Sequence, residues 1–412
     1  MNLRVIIFLV LFILIDGYVF FGLKNSLQKN TFQLIILVFY GIAAILCYCS
    51  VYALTLNFTE RPISVSPIYN LLIGFGFSFF VFKLLLLLFL LFDDVLRIAN
   101  YIYNSIIRLF ASTKEVSFED RRKFIVNFGL AVAAVPFASM LYGITKGKYN
   151  YKLKKVVMKF SNLPKEFNDL KIVQISDIHA GSFDSISDVQ RGVDLINAQN
   201  PDIVFFTGDL VNNDAREIAP FVEVFKSISS KYGTFSILGN HDYGDYKKWP
   251  SATAKKENLA QLEAYQKQMN FTLLKNENTL IEKEGASIRI LGVENWGKPP
   301  FVTHGDLDAS LEGVAASEFK ILLSHDPSHW DAKVVPNKMH VDLTLSGHTH
   351  GMQFGIDIPG FKWSPVKYKY PRWSGLYSEY KQHLYVNRGF GFLGFPGRVG
   401  MWPEITLITL NT

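Results

Sequence analysis

Four long apolar runs occupy the first third of the chain: Val5–Leu23, Phe32–Leu56, Ile68–Phe92 and Phe124–Ile144. Each has 19 to 25 residues, and about 20 suffice for a helix to cross a bilayer. None shows the polar face that a core helix of a soluble protein would present to water. A cleaved signal peptide would account for the first run alone. No small-residue cleavage site follows it, however, and a second apolar run does. The pattern therefore predicts a transmembrane region over residues 1–145 with about four helices, at 5–23, 32–56, 68–92 and 124–144. Asp16 and Lys83 fall inside the first and third helices. A charge in the membrane is expensive, and snorkelling or helix–helix packing is preferred for both over a partner or a wet cavity. Cys47 and Cys49 lie inside the second helix and are expected to form no structural disulfide. Val95–Phe110 mixes apolar and polar residues as an interfacial helix would, and Ser112–Arg122 reads as a loop.

From Tyr151 onward the pattern changes to short apolar runs between polar helical stretches. Lys171–Ser176, Asp202–Thr207, Thr234–Leu238, Phe319–Ser324 and Leu343–Ser346 read as buried strands. Thr272–Leu274, Thr279–Glu282 and Ser287–Val293 read as further strands. Helical stretches fall at Asp188–Gln199, Ala219–Ser229 and Glu257–Met269. Alternating strand and helix argue for a layered α/β domain over residues 170–412, joined to the membrane region by a juxtamembrane linker and first strand at 146–169.

Composition sharpens this division. Hydrophobic residues make up 49% and charged residues 19% of 412, which excludes intrinsic disorder. Two cysteines exclude a disulfide-built scaffold. The net charge of +6 resides entirely in residues 1–150, which hold 13 Lys+Arg against 7 Asp+Glu. Residues 151–412 hold 29 of each, and all nine histidines. The positive charge thus belongs to the membrane region and its flanks, and no nucleic-acid partner is expected. Orientation is harder to read. Residues 93–123 and the segment just after the fourth helix carry six Lys+Arg each, so the positive-inside count nearly cancels. Arg121-Arg122-Lys123-Phe124 resembles a twin-arginine export signal, though Asp120 stands where a serine is usual. On that basis the part beyond residue 145 is expected outside the cytoplasm.

The chemistry sits directly after the buried strands. In order come Asp177-Ile178-His179, Gly208-Asp209, Gly239-Asn240-His241-Asp242, His325 and Gly347-His348-Thr349-His350. The carboxyl edge of an open α/β sheet is where ligands bind. Carboxylate, amide oxygen and imidazole are donors for zinc, manganese or iron, and an Asp can offer one oxygen to each of two cations. Any one of these short motifs is weak evidence, but all five in this order after predicted strands are highly specific.

Together they resemble the calcineurin-like metallophosphoesterases, over about Leu170 to the C-terminus. The ending Asn387-Arg388-Gly389, Gly397-Arg398 and Pro403-Glu404-Ile405 is similar to the YkuE-like membrane-associated branch. The resemblance implies a four-layer αββα sandwich with two mixed β-sheets. It also implies two divalent metal ions (Mn, Fe or Zn). Asp177, His179, Asp209 and His350 would hold the first, and Asn240, His325 and His348 would hold the second, with Asp209 bridging. His241 would not ligate but would assist the leaving group, as an imidazole of near-neutral pKa can. Asp242 is read as a helix cap or a solvent salt bridge rather than an orienting group. His304, His329, His340 and His383 are read as structural or solvent-facing, with His329 close enough to His325 in sequence to line the pocket. Arg388 and Arg398 are candidates for binding the substrate phosphate, against a structural role.

Gly360–Tyr377 interleaves Lys362, Lys367, Lys369 and Arg372 with Trp363, Tyr368, Tyr370 and Trp373. It reads either as an ordinary surface loop or as a cap that meets an anionic lipid surface or amphiphilic phosphate. The expected activity is hydrolysis of a phosphoester, preferentially a diester, by metal-activated hydroxide, on a lipid-linked or envelope-associated substrate. A cytoplasmic active site would instead suit a resemblance to the hydrolases that split UDP-diacylglucosamine. A metal-binding membrane sensor without turnover is the alternative of another class.

Overall fold

A computed structural model describes residues 3–27, 30–57, 66–109 and 119–412. Arg61, Lys114 and most of the predicted 112–122 loop lie outside the described residues. The chain forms two compact units, one of membrane helices up to Tyr142 and one of Gly143–Thr412.

The first unit contains α1 (Leu3–Ser26), α2 (Thr31–Asn57), α3 (Pro67–Arg108) and most of α4 (Glu119–Thr145). Among the described residues, three helices are long and apolar enough to cross a membrane: α2, α3 and α4. The interfacial helix expected at 95–110 is not a separate element. It is the continuation of α3, which runs unbroken for 42 residues. At 1.5 Å per residue α3 is about 63 Å long, roughly twice the thickness of a hydrocarbon core. The sequence suggested an end at Asp93-Asp94, but no Gly or Pro breaks the helix there and both carboxylates have partners. Tyr18 Oη donates to Asp94 at 2.5 Å and Arg121 reaches Asp93 at 3.4 Å. Arg122 Nε donates to Ser26 Oγ at 2.6 Å. The two arginines that resemble an export signal are thus tied into the helix bundle.

Asp16 and Lys83 meet each other instead of snorkelling. Lys83 is fully buried, with Nζ 3.0 and 3.2 Å from the two carboxylate oxygens of Asp16. Tyr40 and Tyr48 on α2 also donate their hydroxyls to Asp16, at 2.8 and 2.6 Å. The ammonium lies 3.2 Å from the centroid of Phe12. One carboxylate therefore joins α1, α2 and α3, and every charge in the cluster is compensated.

The second unit is built on two six-stranded sheets. The first has the order β1-β14-β2-β3-β4-β5, with β1 Lys152–Lys159, β2 Leu170–Ile175, β3 Ile203–Phe206, β4 Thr234–Ser236, β5 Phe271–Leu273 and β14 Glu404–Asn411. The second has the order β12-β13-β9-β8-β7-β6, with β6 Glu277–Lys283, β7 Ala286–Gly292, β8 Lys320–Leu323, β9 Leu343–Ser346, β12 Gly375–Glu379 and β13 Gln382–Val386. Both sheets are mixed: β14 runs antiparallel to β2 in the first, and β6/β7 and β12/β13 are antiparallel pairs in the second. The inner strands are continuous apolar runs because both faces are covered. Ile172, Ile203 and Phe205 pack between the sheets against Ile290, Ile321 and Leu345. Val173, Val204 and Phe206 face α5 (Ile186–Asn197), α6 (Val222–Lys226) and α7 (Ala252–Gln268) through Val193, Phe225 and Leu262. Leu291, Leu322 and Leu384 pack outward against Leu307, Trp330 and Val334. This is the αββα sandwich with an N-terminal membrane region. The helix expected at 219–229 is shorter than the pattern suggests. Pro220 lies in a 3₁₀ stretch, Ala215–Phe221, and only Val222–Lys226 is α-helical because proline cannot donate its backbone nitrogen.

The Asp16–Lys83 pair yields a double-mutant prediction. Lys83→Met alone should destabilise the detergent-solubilised protein by about 3–5 kcal/mol, because it strands a carboxylate in the bundle. Asp16→Asn with Lys83→Met should recover much of that loss. Thermal denaturation of the two singles and the double tests it, and additive losses would show that the pair is not coupled.

Candidate metal centre

Each donor follows a strand whose end stops short of the site, and the backbone turns sharply to aim the side chain. Asp177, His179, Asp209, His348 and His350 all have positive φ, between 49° and 71°. For non-glycine residues this conformation costs of order 1–3 kcal/mol each, and it clusters at functional sites. Gly347 makes room for the turn: a Cβ there would collide with Ser176 Oγ and the Asp177 carboxylate. Gly239 packs in the same way against the Asp209 carboxylate.

The donors form two groups. Asp177, His179 and His350 present their ligand atoms within 4.8 Å of one another, and so do Asp209, His325 and His348. Nε2 of His179 and Nε2 of His350 are 3.0 Å apart, and His350 Nε2 is 3.2 Å from Asp177 Oδ1. Asp209 Oδ2 lies 3.5 Å from His179 Nε2 and 3.2 Å from His325 Nε2, so one oxygen borders both groups. Nδ1 of His348 faces Asn240 Oδ1 at 3.0 Å and His325 Nε2 at 3.3 Å. The structure thus brings together all seven predicted donors. This donor set fits divalent cations: imidazole nitrogens, carboxylate oxygens and an amide oxygen, the ligand types such ions take, converge on one another.

Hydrogen bonds leave the correct atoms free. His325 Nδ1 bonds the Thr207 carbonyl at 2.7 Å, which turns Nε2 to the site. The backbone N–H of His241 donates to Asp209 Oδ1 at 2.9 Å, leaving Oδ2 for the imidazoles. The N–H of His348 donates to both oxygens of Asp177 at 3.0 Å. Burial keeps three of the imidazoles in the neutral form that ligates metals: it pushes His179 down to about 3 and His348 to about 4, and holds His350 well below the usual range. Burial would lower His325 as well, but the Asp209 and Asp177 charges outweigh it and raise it to about 10. Burial lifts Asp177 to about 6 in spite of His325. Concentrated negative charge of this kind is what divalent cations would neutralise.

His241 stands at the edge of the group. Its Nδ1 bonds the Asn212 carbonyl at 2.8 Å, its ring meets His179 edge-on at 5.0 Å, and it packs on Tyr246 at 4.6 Å. The Nδ1 bond fixes the tautomer and leaves Nε2 as the atom able to carry a transferable proton.

Three contributors were not assigned from the sequence. Asp242 is neither a helix cap nor a solvent pair. It is fully buried, and its carboxylate accepts backbone N–H groups from Asp209 (2.9 Å), Leu210 (2.8 Å), Val211 (3.3 Å) and Gly239 (2.8 Å). It locks the turn after β3 to the turn after β4. Burial and the Asp209 charge push its carboxyl up to about 7 against the pull of those donors. Tyr370, from the basic–aromatic segment, places its hydroxyl 2.8 Å from His348 Nε2. Buried Asp326 follows His325 and lies 3.7 Å from the same nitrogen.

Arg388 and Arg398 are placed away from the substrate role considered for them. Arg388 is 2% exposed and bonds Glu404 at 2.6 Å and Asp357 at 2.7 Å. Arg398 is fully buried and donates to the carbonyls of Gly391, Arg388 and Met401, with Nη2 3.2 Å from His350 Nδ1. These bonds occupy their donors without a phosphate. The other histidines have local partners: His329 with Ser324 Oγ at 2.8 Å, His383 with Ser378 Oγ at 2.7 Å, His340 with Asp342 at 3.3 Å, and His304 stacked on Tyr243 at 4.0 Å.

Fold and donor set together point to a metal-dependent hydrolase, and comparison with known proteins agrees. The calcineurin-like phosphoesterase family matches residues 170–352, and the family described as a calcineurin-like phosphoesterase transmembrane domain matches residues 3–148. The chain belongs to the calcineurin-like metallophosphoesterases and is a metal-dependent phosphoric ester hydrolase with a membrane region. It is 30% identical to the metallophosphoesterase YkuE of Bacillus subtilis strain 168 over 71% of this chain and 98% of that one. It is 28% identical to the transmembrane protein with metallophosphoesterase domain of Bos taurus, over 72% of this chain and 65% of that one. It is also 28% identical to the phosphodiesterase YaeI of Escherichia coli K12, over 58% of this chain and 82% of that one.

Asp242 supplies the prediction here. In Asp242→Asn the amide nitrogen faces backbone donors, at about 1–3 kcal/mol for each one left unpaired. The variant should melt at a lower temperature and bind Mn²⁺ more weakly than wild type, as differential scanning fluorimetry with and without the metal will show. An unchanged metal-induced shift would mean that the clamp does not position the donors.

Proposed function

We propose that this protein is a membrane-anchored phosphodiesterase acting on an amphiphilic or envelope-linked phosphoester at a two-metal site. On this reading residues 1–145 are the anchor, residues 146–169 are the linker and first strand, and residues 170–412 are the catalytic domain. The observation that carries it is the pair of donor groups bordering the single Asp209 carboxylate. Asp177, His179, Asp209 and His350 would hold one cation, and Asn240, His325 and His348 with Asp209 the other. Mn, Fe and Zn all suit this donor set. Two such cations supply Lewis acidity toward phosphoryl oxygens and lower the pKa of water. The protein's own part is positional. Asp209 sets the spacing of the two groups, Asp242 holds its turn, and His241, oriented by the Asn212 carbonyl, would as the imidazolium give its Nε2 proton to the departing oxygen and be left neutral.

The diester preference draws support from the similarity to the phosphodiesterase YaeI. The anchor supports an amphiphilic substrate, because tethering concentrates the enzyme where such molecules are. We place the catalytic domain outside the cytoplasm. With α1 counted as a span beside α2, α3 and α4, loops 24–31 and 93–123 share one side and carry two and six Lys+Arg, against one in loop 57–67. Lys148 and Lys154, counted near the fourth helix, are paired with Asp184 and Asp357 in the folded domain.

Purified full-length protein should bind about two divalent ions per chain and hydrolyse bis-p-nitrophenyl phosphate with Mn²⁺, with activity lost on chelation. His241→Ala should retain its metal but lose about 10²–10⁴-fold in turnover. Absence of turnover by the metal-loaded wild type across phosphoesters would leave the sensor reading instead. Protease added to intact cells should cleave the catalytic domain, whereas protection would place it in the cytoplasm and favour the nucleotide–lipid pyrophosphate reading.

A further inference from the structure

Phe354 leads from the metal-site turn into a two-stranded hairpin, β10 (Ile356–Ile358) and β11 (Phe361–Trp363). Its register pairs Ile356 with Trp363, Asp357 with Lys362 and Ile358 with Phe361. Cross-strand partners share a face and neighbours along a strand alternate. One face is therefore Ile356, Ile358, Phe361 and Trp363, and the other is Asp357 and Lys362.

The polar face is the one that bonds the rest of the domain, although Lys362 itself is exposed. Asp357 accepts from Arg388 at 2.7 Å and Lys154 at 3.1 Å, while Lys362 Nζ donates to the Ser374 carbonyl at 2.6 Å and lies over Trp373. The apolar face is outward, with Ile356 44%, Ile358 57% and Phe361 52% exposed. A one-sided sheet in water has the opposite arrangement. Tyr368, 77% exposed, and Met352, 56% exposed, lie close by in sequence and extend the apolar character. Lys367 and Lys369 are exposed beside them.

The identity of the covering partner follows from where the chain leaves α4. The last turn of that helix belongs to the same compact unit as the hairpin. The Gly143 carbonyl accepts from the Arg398 N–H at 3.3 Å. The next residue, Val399, donates to Gln353 at 2.7 Å and accepts from Gly355 at 3.0 Å. Gly355 is the residue before β10. The hairpin base and the end of a membrane helix are thus joined through one short segment. We infer that the β10–β11 hairpin is a membrane-docking element whose apolar face enters the interface of the bilayer holding the anchor, with Lys367 and Lys369 meeting anionic headgroups. Apolar and aromatic residues bordered by lysines are the composition that such an interface selects. The hairpin is bracketed by His350 and by Tyr370, which touches His348, so docking would bring the site close to lipid headgroups.

This inference rests on the membrane anchor and not on hydrolysis, so its test needs no substrate. Full-length Phe361→Cys and Ile358→Cys, each in a Cys49→Ser background that retains buried Cys47, are labelled with an environment-sensitive fluorophore. They are reconstituted in phosphatidylcholine vesicles with and without phosphatidylglycerol. Glu284→Cys, at the exposed β6–β7 turn, is the aqueous reference. We expect blue-shifted emission at 358 and 361 and strong quenching by doxyl-labelled lipid, both increased by phosphatidylglycerol, with no such change at 284. Emission at 358 and 361 that iodide quenches as readily as at 284 would overturn the inference. So would protection from iodide without quenching by lipid, which would assign the face to a second copy or another protein.

Discussion

The carboxylate of Asp209 is the constraint on which the centre depends, because its two oxygens have different tasks. Oδ1 is held by the His241 N–H, and Oδ2 is shared between His179 and His325. That division works only if the turn after β3 stays fixed against the turn after β4, although the two are about thirty residues apart in sequence. Asp242 provides the connection by gathering N–H groups from both turns. The loop that presents His241 therefore also fixes the backbone of Asp209, so that the spacing of the two donor groups and the position of His241 are set by one buried carboxylate.

The clustering of the candidate donors was legible because each belongs to a short motif directly after an apolar strand, and strand ends are where an α/β sheet collects its polar side chains. Asp242 was not legible in its true role. An Asp after a His reads equally well as a cap or a surface pair, and only the adjacency of β3 and β4 turns it inward. Arg388 and Arg398 fail for a related reason. Arginine near a phosphoryl site suggests phosphate, yet Glu404, Asp357 and a set of backbone carbonyls satisfy both side chains first. The strand β14 shows the same limit. Its residues alternate only weakly between polar and apolar, and its place between β1 and β2 joins segments more than two hundred residues apart.

In the membrane region four helical runs were visible, of which α2, α3 and α4 are long and apolar enough to span among the described residues, but the extent of the third was not. Asp93-Asp94 ends an apolar run, which is a compositional boundary. A helix ends where its backbone groups find other partners, and here the two carboxylates are paired with Arg121 and Tyr18 while the helix continues. The same distinction governs Asp16 and Lys83. Read singly, each is an expensive anomaly; read together, they form a neutral pair that fixes the registers of three helices.

Arg388 shows how the β10–β11 hairpin is coupled to the candidate metal site of the second unit. Its Nε is bonded to Glu404, at the start of the inner strand β14, and its Nη1 to Asp357 on the hairpin. The backbone carbonyl of Arg388 accepts from Arg398, which in turn reaches His350. A displacement of the hairpin is thus opposed by a buried ion pair anchored in the sheet that also supports a metal donor. Removing one member would leave an uncompensated charge in the interior, which is costly. That cost explains why Asp357 is held against the domain even though the apolar face of β10–β11 is exposed.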